Sequence, residues 1–122
     1  MIKKTVTFKD FNGLERTETY HFHMNQAECM EFLAEHKTSG GDFSTMVTTL
    51  KDIILKSYGE IALDGKRFVK SEEATLAFYQ TEAYSKIFME LGNDDEAANK
   101  FIEGVIPADL INQINMKQPV LR

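Results

Sequence analysis

Few residues in this chain are of the types that do chemistry, and their spacing decides what they can do. His21 and His23 stand two apart, so a strand puts both imidazoles on one face, a spacing that metal sites use. A metal also needs a third ligand in fixed geometry, and the sequence supplies none; a solvated pair on a threonine-rich face is the better reading. Cys29 is the single cysteine. A nucleophilic thiol needs a base and a lowered pKa, whereas Cys29 falls on the apolar stripe of a helix and reads as a small core residue. The carboxylate pairs Glu72-Glu73 and Asp94-Asp95 fall in first helical turns, where the positive end of the helix dipole accounts for them. The glycine-bearing stretches GG, YGE, DGK and ELGN are not arranged to cradle a phosphate. No catalytic, cofactor or metal site assembles, so the expectation is a binding protein and not an enzyme.

The elements that carry these residues follow from periodicity. Ile2, Val6 and Phe8 alternate with polar residues, and Leu14, Tyr20 and Phe22 do the same after Asn12-Gly13, which predicts an antiparallel hairpin over 2–23. A two-residue loop at Asn12-Gly13 sets Lys9 against Arg16 and Asp10 against Glu15, two like-charge pairs. A three-residue loop, Phe11 to Gly13 with Gly13 left-handed, instead pairs Lys9 with Glu15, Thr7 with Thr17, Thr5 with Thr19 and Ile2 with Phe22. The longer loop wins.

Helices are predicted over about 26–36, 44–58, 72–91 and 94–103. Asn25 and Glu28 form a capping box for the first, with Met24 stapled onto Cys29, and Cys29, Phe32, Leu33 and His36 share a face. The glycine pair in KTSGGDF ends it, and Asp42 or Ser44 starts the second, which buries Met46, Val47, Leu50, Ile53, Ile54 and Tyr58 and stops at Gly59. IALDGKRFVK reads either as a small hairpin about Asp64-Gly65 or as an ordered loop. Ser71 caps the third helix, Gly92 closes it, and Asn93 caps the fourth, which Gly104 and Pro107 end, Pro107 opening a short last turn through Ile111. The third helix carries a stripe of Leu76, Tyr79, Ala83, Tyr84, Ile87, Phe88 and Leu91, predicted to meet Leu50, Ile53, Ile54, Phe101 and Ile102 in one core. Phe78 and Met89 lie off that stripe. Either a break near Gln80-Thr81, with Thr81 capping a new segment, turns Phe78 inward, or these residues form a second packing surface.

The expected fold class is α+β: the hairpin packed on a bundle of four to five helices, a single domain over 1–114, then a flexible tail over 115–122. A chain of 122 residues buries a real core without disulfides, and its 43% hydrophobic and 27% charged content is ordinary for a soluble protein. No apolar run reaches bilayer length, and MIKKTVTF lacks a signal-peptide core; no membrane role is expected. One cysteine fits a reducing compartment. Net charge is −5. Lys and Arg balance Asp and Glu, ten against ten, up to Lys70, and from Ser71 onward stand at four against nine. Nucleic-acid binding calls for a basic stripe, which is missing.

LKSYGE, DGKRFVKS, FYQTEAYSKIFMEL and AANKFIEGVIP, with the opening TVTFKDFNGLERTETYHF, resemble a family of small tail assembly chaperones of long-tailed bacteriophages and prophages. The resemblance runs from about Thr5 to Pro107 and is weakest at 35–44. It implies a host-cytoplasmic protein that binds the tape measure protein and keeps it soluble while the tail tube polymerises, and that is absent from the finished virion. It also implies a longer, frameshifted form of the chain as a partner. A homo-oligomer is a further expectation. The alternative function is a structural head–tail connector or neck component that uses the hairpin for strand addition. The candidate partner-binding residues are the apolar groups off the buried stripes: Leu55, Phe78 and Met89.

Overall fold

The computed structural model describes residues 1–36 and 43–106. Strand β1 (Ile2–Lys9) and strand β2 (Glu15–Phe22) form the expected hairpin. Its register pairs Lys9 with Glu15, Thr7 with Thr17, Thr5 with Thr19 and Ile2 with Phe22, as the charge argument required. Gly13 is left-handed at φ 84°, and the Asp10 N–H donates to the Leu14 carbonyl at 2.9 Å. That bond makes the even-numbered residues of β1 exchange hydrogen bonds with β2, so the carbonyl of Thr7 faces away from the hairpin. On the outer face two threonine pairs bond hydroxyl to hydroxyl, Thr5 to Thr19 at 2.9 Å and Thr7 to Thr17 at 2.8 Å.

The sheet is larger than the hairpin. Helix α1 (Gln26–His36) starts at the Asn25/Glu28 capping box: the Asn25 N–H donates to Glu28 Oε1 at 2.9 Å and the Glu28 N–H to Asn25 Oδ1 at 2.8 Å. Helix α2 (Phe43–Ser57) ends one residue early, because the Ser57 hydroxyl turns back onto the Ile53 carbonyl at 2.6 Å and Tyr58 leaves the helix to pair with Phe22. Tyr58 is buried, but as the first residue of strand β3 (Tyr58–Ile61), not as helix. Strand β4 (Phe68–Val69) then closes the IALDGKRFVK segment as a hairpin with Gly65 at φ 72°, giving an antiparallel order β1-β2-β3-β4. Gly59 is no helix stop. A Cβ there would lie 2.5 Å from the Phe68 ring, so only glycine admits this approach.

The predicted 72–91 helix is two helices. Helix α3 (Glu72–Tyr79) is capped by Ser71, whose hydroxyl accepts from the Ala74 N–H at 3.0 Å. After Gln80, Thr81 caps helix α4 (Glu82–Asn93) by accepting from the Tyr84 N–H at 3.3 Å. Asp94, not Asn93, caps helix α5 (Asp95–Val105), since α4 continues through Gly92. Gly104 lies inside α5, where a Cβ would collide with Ile2. The chain is therefore α+β, with helices on the apolar face of a four-stranded antiparallel sheet.

The break exchanges inside and outside. In an unbroken helix Leu76 and Tyr79 fall in phase with Ala83 and Ile87, and Phe78 lies about 140° round from Ala83. With the chain re-aimed at Gln80-Thr81, Phe78 is buried and Leu76 and Tyr79 are exposed, against the core expected for them. Phe78 stacks on Tyr58 at 4.5 Å and meets Tyr20, Phe22 and Tyr84 within 5.8 Å, an aromatic cluster under the sheet. Below it Ile53, Ile54, Ile87, Leu91, Phe101 and Val105 complete the core, with Tyr84, Phe88 and Ile102 partly buried against it. Met46, expected inside, is exposed on α2. The expectations for KTSGGD, for the His36 side chain, for Pro107 to Ile111 and for the 115–122 tail lie outside the described residues.

Candidate functional site

Helices α2, α3 and α4 build the most promising surface. Leu55 projects from α2 opposite Leu76 and Tyr79 of α3, and together with Thr75 and the stems of Lys51 and Lys70 they line an open groove of about 500 Å3. Leu76 is 53% exposed and Tyr79 39%, large apolar groups left wet by the break that buried Phe78. A second, smaller hollow of about 260 Å3 continues the groove along α2 and α4 through Val47, Lys51, Tyr84, Ser85 and Phe88. Lys51 borders both hollows, and the rings of Tyr79, Tyr84 and Phe88 follow one another at 4.9 and 6.0 Å.

The rim carries three ammonium groups, two of them already paired with carboxylates. The Lys51 ammonium stands 4.7 Å from the centre of the Tyr79 ring. Lys70 donates to Glu28 at 2.9 Å and to the Lys56 carbonyl at 2.8 Å, which ties the end of α2 to α1. Lys56 in turn pairs with Glu35. Burial pushes the Glu28 carboxyl up, but the Asn25 N–H and Lys70 outweigh it and hold it below the usual range. Burial pushes the Tyr84 hydroxyl up to about 12, with Tyr79 and Asp52 adding to it. The groove offers apolar contact and ammonium groups.

Of the three sequence-derived candidates, Leu55 lines this groove, Met89 is exposed on α4, and Phe78 is a core residue only 2% exposed. Periodicity missed Leu76 and Tyr79 as surface residues. The signal that finds them is Thr81 acting as an N-cap, which forces a new helical phase. His23 is partly buried with its ring edge-on to Phe68, and burial, then the N-terminal amino group and Lys70, lower its pKa. Its Nδ1 is buried without a hydrogen-bond partner among the described residues. Burial, then Glu28, raises the Cys29 thiol, which keeps it protonated and unreactive. Among the described residues no three His, Cys, Asp or Glu side chains come together as a metal site. No described helix is long and apolar enough to cross a membrane.

Comparison with curated proteins and with solved structures returned no match. The sequence model of one protein family, described as phage tail assembly chaperone, matches residues 1–121. That match spans both the hairpin and the helices that form the groove, and the chain belongs to the phage tail assembly chaperone family.

Proposed function

We propose that this protein binds the tape measure protein in the host cytoplasm and keeps it soluble while the tail tube assembles, and that it leaves before the virion is complete. Binding without catalysis is the chemistry that the residues favour. The observation that carries the reading is the exposed floor of Leu76 and Tyr79 beside Leu55: an apolar groove between helices, in a chain whose family membership is chaperone. A long protein with apolar helical stripes self-associates unless each stripe is covered, and a groove of this kind covers one. Many copies along one chain add their affinities. Met89, exposed on α4, is a further adaptable apolar group.

Co-expression with the tape measure protein of the same phage tests the reading. The wild-type chain is expected to hold that protein in the soluble fraction and to co-purify with it, while mass spectrometry of purified virions finds none of the chain. A tape measure protein that stays insoluble with the chain present, or stoichiometric chain in finished particles, overturns it.

A further inference from the structure

We infer that the groove between α2 and α3–α4 receives an amphipathic helix whose apolar stripe is flanked by carboxylates. The inference rests on the chaperone reading for the partner's identity, and on the geometry alone for its chemistry.

The walls decide the secondary structure of the occupant. They are mostly helices, whose main-chain groups are bonded within themselves, closed at one end by the Lys70-Ser71 connector, and no strand residue is among the lining. An extended segment would bring N–H and C=O groups that the floor of Leu55, Leu76 and Tyr79 cannot satisfy. A helix satisfies its own backbone and presents only side chains. From Val47 to Leu55 the wall runs on the order of 12 Å along α2, a little over two helical turns. The occupant therefore seats about three apolar residues, spaced at three to four.

The rim decides the charge. Lys51, Lys56 and Lys70 line the main hollow against the carboxylate of Glu72, although the chain as a whole carries −5. Glu35 and Glu28 hold Lys56 and Lys70 in position, so a carboxylate arriving there joins an existing pair as a third member. Lys51 borders both hollows and lies over the Tyr79 face. An acidic residue beside the middle of the occupant's stripe meets Lys51; a lysine in that place is repelled. The acidic excess of the later helices does not set the preference, because the rim is local and solvent charges are screened within about 10 Å.

The test uses fluorescence anisotropy with labelled helical peptides that share one leucine stripe and differ in carrying glutamate or lysine beside it. The glutamate peptide is expected to bind about tenfold more tightly at about 0.1 M salt, with the gap closing as salt rises further. Lys51→Glu should reverse the preference, and Leu76→Ser should weaken both peptides while the fold is kept. Equal binding of the two peptides overturns the inference, as does glutamate-peptide binding that neither substitution alters. Unfolding of Leu76→Ser overturns it too, since Leu76 would then be core. Concentration-dependent dimers that Leu76→Ser abolishes would make a second copy the occupant. The two readings separate cleanly. If Lys51→Glu and Leu76→Ser still solubilise the tape measure protein as wild type does, the groove assignment falls and the chaperone reading stands. If wild type fails to solubilise it but keeps the peptide preference, the chaperone reading falls and the groove assignment stands.

Discussion

Exchanging Phe78 and Leu76, each for alanine, tests whether the break at Gln80-Thr81 governs this fold. Phe78 is 2% exposed and lies against four aromatic rings, the nearest a parallel stack on Tyr58 at 4.5 Å. Truncating such a side chain costs about 3–5 kcal/mol, from lost transfer energy and the cavity left behind. Leu76, at 53% exposed, buries only about half of a side chain worth about 1.5–3 kcal/mol when wholly covered, so Leu76→Ala should cost about 1 kcal/mol or less. Urea unfolding followed by far-UV circular dichroism separates the two. With a slope of about 2 kcal/mol per molar, the midpoint falls by about 2 M for Phe78→Ala and by about 0.5 M or less for Leu76→Ala. A loss of 4 kcal/mol is a large part of a small domain's stability, so Phe78→Leu serves as the milder variant, at about 1–2 kcal/mol. A continuous helix predicts the reverse order, with Leu76 in the core. Should Leu76→Ala lower the midpoint more than Phe78→Ala, the two-helix arrangement and the groove built on it are both wrong.

Two further outcomes follow from the sheet. Gly59→Ala should destabilise by about 1–3 kcal/mol, because its Cβ would sit 2.5 Å from a Phe68 ring backed by His23; Phe68→Ala should relieve most of that cost, and additive losses in the double variant would refute the contact. Stability should also fall on the acid side of neutrality. The folded protein holds the pKa of His23 below its ordinary 6.5, so the unfolded chain binds the proton more readily, and stability present above pH 6.5 is lost as pH falls through the folded value. The urea midpoint measured from pH 8 to 5 should drop less in His23→Gln than in wild type, and parallel curves would refute the assignment.

Local electrostatics and capping made much of the architecture readable. Lys9 against Glu15 rather than Arg16 fixed the hairpin register, and the Asn25/Glu28 box and the Ser71 and Thr81 hydroxyls marked helix starts, because each depends on residues within a few positions. Tyr58 was read as helix because its apolar spacing continues that of Ile54, and its actual partner, Phe22, lies far away in sequence. The pairing of β3 with β2 is equally non-local, and it supplied two strands that periodicity left undecided. The groove was half legible. Leu55 stood out as apolar off its stripe, but Leu76 and Tyr79 were hidden by a period that matched the wrong helix. Thr81 contained the correction: read as the cap of a new segment it turns Phe78 inward, and of the two alternatives that is the one the structure takes.

Lys86 of α4 donates to the outward carbonyl of Thr7 at 2.6 Å, and Lys4 pairs with Glu90 at 2.7 Å, so α4 is fastened along the outermost long strand. A strand arriving from another molecule would have to evict that ammonium to pair at Thr7, and at the far margin β4 offers only two residues. Sheet growth between copies is thereby discouraged at both margins. Contact between copies, where it occurs, is then left to helix faces and side chains rather than to main-chain pairing.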